Sequence, residues 1–166
     1  HEFLDALNWS QGLRSWALCR SGRIAEGVSG IGDALASTRL MGPNVARAPL
    51  LAILADAYLS AGRAEDGLAA VEEATGADCL RGEKFCRSEL HFLRGDLLML
   101  SGAGPLRRKA EACYLDAITV ARSQGARWFE LLATTRLCRL RREAGIRRRP
   151  SRAPNAQNSS ARKTPT

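Results

Sequence analysis

A segment of this chain returns forty residues further on: Ser21-Gly22-Arg23-Ile24-Ala25-Glu26-Gly27-Val28 reappears as Ala61-Gly62-Arg63-Ala64-Glu65-Asp66-Gly67-Leu68. Self-similarity at this period marks a helical repeat array, in which one helix pair cannot bury its apolar face alone and neighbours must stack into a continuous core. The same turn and the same packing must then be built more than once. Arrays of this kind ordinarily hold partners instead of performing chemistry.

Downstream of each Gly-Arg turn the apolar residues keep a helical beat. Ile24, Val28, Ile31 and Leu35 fall at i, i+4, i+7 and i+11, and Ala64, Leu68, Val71 and Ala74 at i, i+4, i+7 and i+10. Gly22 and Gly62 stand where a helix must stop and the chain reverse, a position that favours a residue able to take positive φ. The pattern predicts helices over 3–20, 24–40, 44–60, 64–76, 83–100, 106–124 and 126–144. That is an all-α chain of about seven helices, read as antiparallel hairpins over 3–41, 44–77 and 83–124 with a partial repeat over 126–146. Pro43, Gly76 and Gly125 fall in connections and Pro105 at a helix start. Pro49 conflicts with the third helix unless that helix begins near Ala48 or has a distorted first turn.

The net charge of +8 suggests nucleic acid until it is divided by position. Residues 141–166 hold eight Arg or Lys against the single acid Glu143, so nearly all of the excess sits there and the helical part is close to neutral. From residue 151 on there is no Val, Ile, Leu, Met or aromatic side chain, and residues 147–166 are predicted to be a disordered basic tail behind a domain at 1–146. The five cysteines, Cys19, Cys79, Cys86, Cys113 and Cys138, contain no C-x-x-C pair, and with two histidines no metal site or other cofactor is expected. Free thiols fit a reducing cytoplasm. No apolar run reaches the roughly 20 residues of a membrane span and no signal-peptide pattern opens the chain, which reads as a soluble piece of something longer.

Small and large positions alternate as a tetratricopeptide pattern requires, small residues admitting close helix approach and large ones filling the gap between repeats. Leu51, Leu54, Ala55 and Tyr58 with Gly67, Val71 and Ala74 form the second repeat. Gly95 and Leu98 with Ala110, Tyr114 and Ala117 form the third, and Leu18, Gly27, Ile31 and Ala34 mark a weaker first. The run from Trp9 to about Arg142 resembles the C-terminal tetratricopeptide-like region of bacterial multidomain signalling proteins, in which a class III adenylate cyclase or a DNA-binding domain with an AAA-type ATPase module precedes the repeats. Leu18-Cys19-Arg20-Ser21-Gly22-Arg23, Leu54-Ala55-Asp56-Ala57-Tyr58, Gly62-Arg63-Ala64-Glu65, Glu89-Leu90-His91, Leu93-Arg94-Gly95 and Ala121-Arg122-Ser123-Gln124-Gly125-Ala126 carry the likeness. The resemblance implies a right-handed superhelix and a sensor or scaffold role. In such proteins a turn like Gly145-Ile146-Arg147 leads into a further helix, whereas here an arginine and proline stretch follows.

Candidate chemistry is thin. Gly102-Ala103-Gly104-Pro105 before Arg107, Arg108 and Lys109 approaches a phosphate loop but lacks the Gly-Lys-Ser/Thr ending and follows a helix, so an inter-helix turn explains it. His91 has no partner at helical spacing, Cys79 and Cys86 read as core thiols, and Trp9, Trp16, Trp128, Phe85, Phe92 and Phe129 read as packing residues without a basic groove. The expected function is therefore non-catalytic protein–protein interaction. Its expected surface is a concave face lined by the first helices, with Gln11, Arg14, Arg47, Arg87, His91, Arg94 and Arg136 as contacts for an acidic peptide or for attached cyclase or ATPase domains in a longer relative. The alternative is non-specific nucleic-acid or polyanion binding through the tail. An apolar edge at Leu131, Leu137 and Leu140 on the last helix is expected to promote self-association.

Overall fold

The structure is a computed structural model that describes residues 2–40, 47–76, 85–102 and 104–148. It is all-α: among the described residues there are α1 (Glu2–Arg20), α2 (Ile24–Leu40), α3 (Arg47–Ser60), α4 (Ala64–Thr75), α5 (Arg87–Ser101), α6 (Leu106–Gln124) and α7 (Arg127–Arg148), and no strand. The seven elements are those the periodicity predicts, with ends moved by a few residues. Pro49 is the third residue of α3, so its missing N–H falls among those that no helix can satisfy internally and nothing is distorted.

The repeated segment builds a repeated turn. Gly22 and Gly62 take φ of 93° and 73°, and behind them Arg23 donates its N–H to Leu18 O at 2.9 Å and Arg63 its N–H to Tyr58 O at 2.9 Å. This is the glycine-closed end that satisfies the last carbonyls of a helix. The arginine then pairs with the acid three residues on, Arg23 Nε with Glu26 Oε1 at 3.0 Å and Arg63 Nε with Asp66 Oδ2 at 2.7 Å. The α6–α7 connection closes the same way, with Gly125 at φ 67° and the Ala126 N–H on Ala121 O at 2.9 Å.

The helices stack in two layers. α1, α3, α5 and α7 touch one another in succession, while α2, α4 and α6 each sit against the odd-numbered helices before and after them and, among the described residues, do not touch each other. The odd helices therefore form an inner row and the even ones an outer row. α3 and α5, flanked on every side, are buried around much of their circumference.

Packing on α1 is of a kind that an apolar count misses. Its buried stripe is Asn8, Gly12, Ser15 and Cys19, small or polar residues at helical spacing. A Cβ at Gly27 of α2 would strike the Ser15 carbonyl and the Cys19 backbone, so the two helices approach to backbone contact. In the third hairpin, Gly95 leaves room for the ring of Tyr114, which lies fully inside the core.

Two expectations are corrected. Leu137 and Leu140 are 6% and 4% exposed because they face inward from α7, so the predicted apolar edge there reduces to Leu131 at 60%, which Trp128 joins at 65%. α7 also runs straight through Gly145 to Arg148, placing a helix where a turn and the first two tail residues were predicted; nothing in the four preceding residues breaks it. The remainder of the predicted tail, 149–166, lies outside the described residues, as do the connections 41–46 and 77–84 and with them Cys79.

Gly27→Ala should lower stability by about 1–3 kcal/mol, because backbone on the opposing helix cannot yield. Gly32→Ala on the same helix has open space around its Cβ and should stabilise by about 0.5–1 kcal/mol. Thermal melts of both variants followed by far-UV circular dichroism check the pair, and shifts of the same sign would refute the packing argument.

Candidate functional site

The forty-residue register extends from the turns to the side chains of the inner row. Trp16, Asp56, Asp96 and Arg136 stand at successive forty-residue steps on α1, α3, α5 and α7. The Trp16 indole N–H donates to Asp56 Oδ2 at 2.7 Å, joining α1 to α3. Arg136 Nε donates to both oxygens of Asp96, at 3.1 and 3.0 Å, joining α7 to α5. The Tyr114 hydroxyl adds a second donor to Asp96, from α6, at 2.7 Å. The Arg136 guanidinium also lies 5.8 Å from the Phe92 ring centroid. Burial, then the Asp96 charge, pushes the Tyr114 phenol far above its ordinary range, so it stays a donor at any working pH.

Beside this junction opens a cleft of about 400 Å³. Leu59 of α3 with Met99 and Leu100 of α5 supply its apolar wall, Tyr114 and the Asp96–Arg136 pair its polar side, and Arg139, Leu140 and Glu143 of α7 its rim. Both of its acids already have cationic partners: Asp96 holds Arg136, and Glu143 lies 3.9 Å from Arg107 Nη1. Arg107 further ties α6 to α7 by donating to the Leu140 carbonyl, so this member of the Arg107-Arg108-Lys109 cluster is a structural brace. Arg139 has no partner among the described residues, and Leu100 is 44% exposed. The cleft thus joins an apolar wall to a rim that carries Arg139 beside the Arg107-paired Glu143.

The residues expected on one concave face are divided. Only Arg136 lies on the inner side. Arg47 is held between the even helices, paired with Glu73 of α4 and reaching Leu35 O of α2 at 3.5 Å. It heads a groove of about 350 Å³ floored by Leu51, Leu54 and Tyr58. One repeat later the equivalent positions are Arg87, His91, Arg94 and Leu98, and one repeat earlier Leu7, Gln11, Arg14 and Leu18. Arg87, His91 and Arg94 are nine, five and two residues from Asp96, roughly 140–180° around the helix from it at about 100° per residue. His91 accordingly feels α6: burial lowers its pKa, Asp116 of α6 opposes that shift, and Arg87 and Arg94 add to it. Gln11, Arg14, Arg87 and Arg94 are exposed and His91 half-buried. A first helix has two polar flanks, and a residue's being polar and outside the core pattern does not say which flank it occupies.

Glu89, which enters the sequence pattern only within the Glu89-Leu90-His91 likeness, has the most strongly raised carboxyl pKa among the described residues. Burial first, then the nearby Asp56 charge, raises its pKa to about 7. Cys19 and Cys113 are likewise pushed up by burial, the behaviour of packed thiols. Among the described residues no three His, Cys, Asp or Glu side chains gather to hold a metal ion, and no helix is long and apolar enough to cross a membrane. Comparison with known proteins brings no match: no family model, no curated protein and no solved structure aligns with this chain.

Because Glu89 titrates near 7 when folded and near 4.5 when free, the folded chain binds one proton more than the unfolded chain across that window. Stability should then fall as pH rises from 4.5 to 7, and Glu89→Gln should flatten this slope. Denaturant midpoints measured across the range test it, a slope unchanged by the substitution being the adverse result. Asp96→Ala should cost about 1–3 kcal/mol, chiefly by stranding the buried Tyr114 hydroxyl since Arg136 is partly open to water, and Arg136→Ala on that background should cost little more.

Proposed function

We propose that the chain is a non-catalytic docking module of the tetratricopeptide-like kind, whose inner cleft receives an acidic peptide segment carrying an apolar side chain. The observation that carries the reading is the cleft beside Asp96 and Arg136, where Leu59, Met99 and Leu100 offer an apolar seat next to the guanidinium of Arg139, unpaired among the described residues. An apolar side chain would enter against Met99 while a carboxylate meets Arg139, a charge-assisted pairing suited to peptide recognition. Asp96, the most enclosed carboxylate there, is committed to Arg136 and Tyr114, which supports a positioning role over acid–base work. The contact order of the helices, odd with odd and each even helix wedged between, supports the tetratricopeptide-like stacking that the resemblance implies.

In a longer protein of the signalling type that the sequence resembles, such docking would be relayed to an attached cyclase or ATPase domain. The free thiols of Cys19, Cys113 and Cys138 suit a reducing cytoplasm.

Selection of random peptides against the full chain tests the proposal. Acidic, apolar-containing binders should emerge, and Arg139→Glu or Leu100→Asp should weaken them by about tenfold or more while Arg87→Ala and Arg94→Ala leave them unchanged. Binders without acidic residues, or binders indifferent to the cleft variants, would sink it.

A further inference from the structure

We infer that the outward face of α7 docks a second helix, one that is amphipathic and acidic. Trp128, Leu131, Thr135 and Cys138 follow one another at intervals of three, four and three residues, the spacing of a seam along which another helix lies. All four are exposed. Trp128 and Leu131 form the largest exposed apolar pair on the helix, and tryptophan is a preferred interface anchor.

Next to Leu131 lies an open cleft of about 600 Å³ lined also by Arg122, Gly125, Arg127, Glu130 and Thr134. Its single acid, Glu130, is neutralised by Arg122 at 2.7 Å. Arg127 on the flank and Arg142, one turn past Cys138, have no partner among the described residues. The seam thus has apolar anchors at Trp128 and Leu131, a cation on its flank at Arg127 and another at its C-terminal end at Arg142, and its complement is a helix with apolar seam residues and carboxylates beside them. A second copy of this chain would set the same arginines against each other. A nucleic acid would use the arginines and Trp128 but gains nothing from Leu131 in register along a helix. The face is separate from the inner cleft, since Leu131 is five residues from Arg136 and points roughly 140° away from it.

The full chain should be titrated into a fluorescently labelled synthetic helix of about three heptads, with leucine at the seam positions and glutamate beside them, and anisotropy recorded. Saturable binding is expected, weakened by salt and reduced about tenfold or more by Leu131→Glu and by Trp128→Ala with the helical circular dichroism intact. Leu100→Asp in the inner cleft should leave it unchanged. Equal binding of a lysine-flanked peptide, or no effect of Leu131→Glu, overturns the proposal. So does a concentration-dependent dimer abolished by Leu131→Glu, which makes the occupant a second copy, or a single-stranded oligonucleotide that displaces the peptide, which makes it nucleic acid.

Discussion

Three helices meet on one carboxylate. Asp96 of α5 takes Arg136 of α7 and the Tyr114 hydroxyl of α6, and while Arg136 is partly open to water, Asp96 and Tyr114 are enclosed and have little water to turn to as a substitute. A carboxylate with a charged donor and a neutral one satisfied in good geometry is far more costly to break than to keep. The position of α7, and so both the inner cleft on one of its sides and the Trp128–Leu131 seam on the other, follows from that junction together with the Arg107 brace on Leu140.

The junction is one of four equivalent positions, and their chemistry differs in an instructive way. At the first two, Trp16 gives its N–H to Asp56; at the last two, Asp96 receives Arg136. Geometry repeats and charge does not. Among the described residues Asp56 is satisfied by a neutral donor, and burial first, then that charge, raises the pKa of the adjoining Glu89 to about 7.

Charge is distributed toward the end of the array as well. Arg127, Arg139, Arg141 and Arg142 all lie on α7, and among the described residues only Arg141 of these four is matched, by Glu111 at 2.7 Å. Such an excess favours encounter with polyanions in general and is sensitive to salt. The near neutrality of the rest of the chain confines this effect to one end of the stack.

The sequence by itself determined the secondary structure and the turns. Local rules suffice for these: the apolar beat of α2 and α4, glycine where φ must be positive at Gly22 and Gly62, and proline tolerated in the first turn at Pro49. The forty-residue repeat further fixed that the hairpins must stack. The inner layer's chemistry was not legible, because facing across a stack joins residues forty apart, and nothing in the neighbourhood of Asp96 in sequence names Arg136 or Tyr114 as its partners. The same is true of the division of Arg47, Arg87, His91 and Arg94 from Arg136, of the burial of Leu137 and Leu140, and of the pKa of Glu89. Which flank of a helix meets a neighbour is decided by where the other helices lie, and only the tertiary structure holds that information.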